Sequence, residues 1–140
     1  MTSERATPAG SESGEPAPAD LILEQSIGFS GHVTGALHTC DDGTMLYVSG
    51  SWVIRSHKDD PTQQTFMRGH ANPILSFAVS KSGRLAASGE SGKLSDLIVW
   101  DVPTGEVKYR LSEHDWGVEH VAFSADEKLL VSISGYKDES

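Results

Sequence analysis

The sequence predicts an all-β fold, the opening blades of an incomplete β-propeller behind a disordered N-terminal tail, and three observations carry that prediction. A unit recurs three times, opening on Gly31-His32, on Gly69-His70 and, in weaker form, on Glu113-His114. The second copy closes on Trp100-Asp101, and the step between copies is close to the ~40–45 residues of a four-stranded propeller blade. Within each copy, short apolar runs alternate with turns rich in Gly, Asp and Ser, as antiparallel strands require. A propeller needs ~4–8 blades to close its ring, and about two and a half to three are visible here. The third copy stops at Ser140 before any Trp-Asp, so the chain reads as the front of a longer protein.

Residues 1–20 hold three of the six prolines, separated by Ser, Gly, Glu and Ala, with no large apolar side chain after Met1. Such a stretch buries too little surface to offset the entropy of ordering, and a disordered tail is expected. Residues 21–140 are assigned to the blades. The run LILEQSIGF, residues 21–29, is apolar and partly alternating, which predicts a strand. Its place before the first Gly-His makes it the outermost strand of the ring's last blade, with its pairing partners outside this chain.

The first copy carries an Asp41-Asp42-Gly43 turn, and Ile54-Arg55 stands where Trp-Asp is expected. In the second copy, residues 73–80 form a buried strand whose bulk comes from Ile74, Leu75, Phe77 and Val79. Ser80-Lys81-Ser82-Gly83 then turns the chain, with Gly83 free to take positive φ. Residues 84–90 return as a strand of small side chains (Ala86, Ala87, Ser88) that lets neighbouring blades approach closely. A polar connector over 91–95 leads to the third strand, 97–100. Pro103-Thr104-Gly105 turns into an outer strand over 106–111, with Val107, Tyr109 and Leu111 on one face. The third copy repeats the first two strands at 118–124 and 128–134, around a turn at Asp126-Glu127.

Composition and spacing exclude several functions. The net charge is -9, and the 11 Lys and Arg residues are dispersed, so nucleic acid is not an expected partner. The single cysteine, Cys40, allows no internal disulfide and reads as a small residue near a strand end rather than a nucleophile. Apolar runs are only a few residues long and no secretory signal opens the chain, so no membrane partner is expected. His32, His70 and His114 fall in separate blades, too far apart to share a metal with bonds of ~2.0–2.1 Å. His114 and His120, with Glu113, Asp115 and Glu119 nearby, match no zinc spacing. Ser88-Gly89-Glu90-Ser91-Gly92-Lys93 lacks the phosphate-loop spacing and links two strands instead of opening a helix. No catalytic, cofactor-binding or metal-ligating residue is therefore assigned, and an interaction platform is expected rather than an enzyme.

One structural constellation does stand out. In Trp-Asp blades a loop His joins a strand Ser and a turn Asp to the indole N–H of the Trp. The matching residues are His70, Ser88, Asp96 and Trp100, although Asp96 lies nearer to Trp100 than the usual blade has it. Both imidazole nitrogens and the buried indole N–H need partners, which such a chain supplies.

The opening LEQSIGFSGHV, then RGHANPILSFAVSKSGRLAASGE, SDLIVWD and LSEHDWGVEHVAFSADEKLLVSISG, resemble in order and spacing the first blades of the cilia- and flagella-associated WD-repeat proteins. The resemblance covers about residues 21–136. It implies a tandem pair of propellers acting as a microtubule inner protein, which stabilises axonemal doublet microtubules through contacts with tubulin and other axonemal inner proteins. It also implies a cytoskeletal location in the axoneme of the cilium or flagellum. A WD-repeat scaffold or adaptor in a soluble cytoplasmic complex is the alternative.

Overall fold

The computed structural model describes residues 21–135. The expected tail, 1–20, lies outside the described residues. Those described form ten strands and no helix. Strands β1 (Leu37–Thr39), β2 (Thr44–Ser49), β3 (Trp52–His57) and β4 (Asp60–Arg68) make one antiparallel sheet in chain order. Strands β5 (Ile74–Val79), β6 (Leu85–Glu90), β7 (Lys93–Asp101) and β8 (Glu106–Trp116) make a second of the same topology. Strands β9 (Val118–Phe123) and β10 (Leu130–Ser134) pair as the start of a third. Two full blades and part of another are what the repeat demands.

Tight turns set the register. In the β5–β6 turn Gly83 adopts φ 76°, a left-handed conformation that suits a residue without a side chain. The β9–β10 turn puts Glu127 there at φ 61°. Its carboxylate accepts bonds from Ser82 N (2.6 Å) and Ser82 Oγ (2.8 Å) in the neighbouring sheet, so an unfavourable backbone is held by a contact between blades.

The core lies between the blades. Leu46, Val48, Val53 and Met67 of the first sheet meet Phe77, Ala86, Ile98 and Trp100 of the second. The opposite face of the second sheet places Ala87 and Leu97 against Val118, Val121, Phe123 and Leu130. Small side chains permit this second contact. A Cβ on Gly89 would stand 2.3 Å from the Cβ of Val118, so only glycine allows that approach.

Residues 21–29 stand apart, and two expectations are corrected. Residues 21–29 join no sheet, and Leu21, Ile22, Ile27 and Phe29 are exposed. A strand needs a partner edge, and the edge expected for this segment lies outside this chain. The segment is fastened instead at Ser26, whose N–H donates to Gln64 Oε1 (2.7 Å) and whose carbonyl accepts from Gln64 Nε2 (2.9 Å). The polar connector is largely strand, because β7 begins at Lys93 and finds a partner in β8 rather than β6. For the same reason β8 continues past Leu111 to Trp116, which puts His114 within a strand and not in an opening loop.

Candidate functional site

The buried polar cluster of the second blade is built on two strands and the loop that enters the sheet. Ser88 and Glu90 alternate on one face of β6, Trp100 comes from β7, and His70 is delivered by the chain entering β5. Trp100 Nε1 donates to Ser88 Oγ at 2.7 Å, and Ser88 Oγ lies 2.7 Å from His70 Nε2. His70 Nδ1 is 3.0 Å from Glu90 Oε2. The donors fit one assignment: indole N–H to serine oxygen, serine O–H to Nε2, and Nδ1–H to the Glu90 carboxylate. Burial pushes the His70 pKa down, and this outweighs the opposing hydrogen bond and charge of Glu90. A neutral imidazole is what the donor pattern requires.

Of the residues read from sequence, the structure brings together His70, Ser88 and Trp100 but not Asp96. The carboxylate on His70 belongs to Glu90, which also accepts from Ala71 N (3.1 Å), Asn72 N (3.4 Å) and, through its other oxygen, Asp96 N (3.2 Å). Asp96 falls where the β7–β8 register shifts between Ser95 and Leu97. A bulge re-aims side chains, and the Asp96 carboxylate pairs with Arg110 and accepts from Ser112 Oγ (2.5 Å). Burial raises the Asp96 pKa, yet these two partners hold it below the ordinary value. The period of two along a strand was the available signal for Glu90, since it sits two residues beyond Ser88 on the same face.

The third blade repeats the first half of the chain, with His114 Nε2 2.9 Å from Ser132 Oγ. In the first blade the Trp position holds Ile54, fully buried. Arg55, at the Asp position, sends Nη1 to the carbonyls of Val102 and Pro103 in the second blade. Sequence reading treated Ile54-Arg55 as a worn motif and missed this bridge.

An open cleft of about 370 Å³ lies between the first two blades, lined by Cys40, Asp41, Arg55 and Arg84 among others. Burial, then Asp42 and Asp41, push the Cys40 thiol up, away from the thiolate form a nucleophile needs. Among the described residues no group of three His, Cys, Asp or Glu side chains is placed to hold a metal ion.

The profile of the WD domain, G-beta repeat family matches residues 61–101 and 105–140, more than half of the chain. Cilia- and flagella-associated protein 52 of Chlamydomonas reinhardtii is 35% identical over 122 residues, covering 84% of this chain and 20% of that protein. The Homo sapiens protein of the same name is 38% identical over 126 residues, covering 87% of this chain and 20% of its own length. WD repeat-containing protein 90 of Mus musculus is 30% identical over 123 residues, covering 84% of this chain and 6% of its own length. The chain thus spans about a fifth of the cilia-associated relatives. Its matched repeats, its four-stranded sheets and the Trp100-Asp101 closing make it a member of the WD-repeat family.

Proposed function

We propose that this chain is the opening part of a non-enzymatic WD-repeat platform of motile cilia and flagella. In this reading the whole protein is a microtubule inner protein that stabilises doublet microtubules by binding tubulin and other axonemal inner proteins. The observation that carries it is similarity of 35–38% over most of the chain to proteins named for cilia and flagella. The blade geometry supports a passive role. His70 and Glu90 of the second blade are spent on one another, on Ser88 and on backbone N–H groups, which suits a rigid frame rather than a reaction centre.

The test is to tag the complete protein in a ciliated cell, strip the membrane with detergent and extract with high salt. Retention in the doublets, with a fragile or poorly beating axoneme on deletion, is the expected result. A wholly soluble pool with normal cilia on deletion would replace this reading with a WD-repeat adaptor of a soluble cytoplasmic complex.

A further inference from the structure

The two complete blades differ most where their second and third strands join. In the first, Ser49 and Trp52 are paired, so only Gly50 and Ser51 make the turn, and β3 begins level with both neighbours. In the second, β6 and β7 last pair at Gly89 and Leu97, yet β7 and β8 go on pairing through Ser95–His114 to Lys93–Trp116. A two-stranded ribbon therefore overhangs the blade.

At its tip stands Leu94. Its backbone is left-handed at φ 55°, and its side chain is 67% exposed. A leucine in that conformation is strained and persists only where its surroundings dictate it. They do so here. Ser95, fully buried, donates from Oγ to Gly92 O (2.5 Å), Gly117 N donates to Gly92 O (2.8 Å), and Asp96 N is held by Glu90. The molecule thus holds a strained apolar residue rigidly in water.

Several other exposed apolar side chains have a reason within the propeller. Val107, Tyr109, Val131 and Ile133 lie on sheet strands, where adjoining blades and strands of a closed ring pack. Leu94 lies beyond the last β6–β7 pair, Gly89–Leu97. Exposed Lys93, Glu113 and Asp115 flank it, and the carboxylates outnumber the ammonium.

We propose that the Leu94 tip of the β7–β8 overhang is a docking knob for a second protein, one that offers an apolar pocket rimmed by Lys or Arg. The fixed backbone lowers the ordering cost of binding, and the acidic flank selects a basic rim.

The test takes its specimen from the ciliary reading above. Full-length protein carrying Leu94→Gly or Leu94→Asp replaces the wild type in ciliated cells. Glycine removes the knob and adopts φ 55° without strain. The melting temperature of the purified full-length Leu94→Gly protein should therefore hold or rise, while its salt-resistant axonemal fraction falls ~10-fold or more, as loss of an interface anchor does. Leu94→Asp should be lost at least as completely. A purely structural residue would lower both readouts, and a fall in the Leu94→Gly melting temperature overturns the proposal. Retention of Leu94→Asp at the wild-type level overturns it while leaving the ciliary reading intact. If the wild type itself is soluble, the ciliary reading fails and native sedimentation of the soluble pool decides. Leu94→Asp moving to a smaller particle than wild type supports the knob, and co-sedimentation with wild type overturns it.

Discussion

In the β5–β8 sheet the tie runs inward: Trp100 is anchored to Ser88, Ser88 to His70, and His70 to Glu90. At the corresponding place in the β1–β4 sheet, Ile54 is buried without any polar tie, and Arg55 reaches outward to the second sheet. The difference follows from one atom. A buried indole brings an N–H that must find an acceptor, so Trp100 requires the serine and, through it, the histidine. Isoleucine brings no such obligation. Ser49, which occupies the place of Ser88, is left to meet Ser26 Oγ at 3.3 Å, and His32 stays exposed. One blade holds itself together, and the other leans on its neighbours.

The largest loss of stability should come from Trp100→Ala, set against Ile54→Ala in the full-length protein. Truncating a buried Trp costs ~3–5 kcal/mol and an Ile ~2–5 kcal/mol, ranges that overlap. The lost indole bond, worth ~1 kcal/mol, is what orders them. Denaturant midpoints should place Trp100→Ala below Ile54→Ala. Equal midpoints would mean that the inward tie adds nothing beyond packing.

Next in size is the contrast between the two acids. Glu90→Ala leaves His70 Nδ1–H and the N–H groups of Ala71, Asn72 and Asp96 without their acceptor. The buried His70 donor left unmade costs ~1–3 kcal/mol and the part-buried backbone donors add less each, so the total should reach ~2 kcal/mol or more. Asp96→Ala removes a partly exposed pair with Arg110 and should cost ~0–1 kcal/mol. Chemical denaturation of both variants checks the order. A larger loss for Asp96→Ala would return that residue to the centre of the network.

Much of this architecture was legible in the residues. The strands of the second copy were marked by apolar runs and by turns at Gly83 and Gly105, and these features are local. What escaped was set by partners distant in sequence. The overhang was hidden because Lys93 and Ser95 look like a polar connector until the far end of β8 is seen opposite them. Asp96 was the natural acid by chemical type and neighbourhood to Trp100, and the bulge that turns it toward Arg110 leaves no mark in composition. Glu90 was readable by strand period alone, yet the glycines around it drew the eye to a loop.

The smallest expected effect concerns pH, and it also belongs to the second blade. Burial lowers the His70 pKa against the opposing pull of Glu90, with smaller contributions from Arg110 and Asp96. An unfolded chain takes up a proton on this histidine near pH ~6.5, whereas the folded chain resists until a lower pH. Between those two values the unfolded state binds more protons, so stability is full above ~6.5 and declines as pH falls toward the folded value. The Asp96 carboxyl, held low by Ser112 and Arg110 despite its burial, begins to matter only at a pH below the onset of the His70 decline. Denaturant midpoints of the full-length protein taken downward from neutral pH should decline with a slope that His70→Gln reduces. Replacing the exposed His32 with Gln serves as the control in the first blade. Glu90→Gln sharpens the comparison further. The amide withdraws the negative charge that favours the proton on His70, so the folded pKa should drop again and the acid decline should deepen. A shallower decline in Glu90→Gln would show that the Glu90 charge does not favour the proton on His70, and this account of the pair would fail.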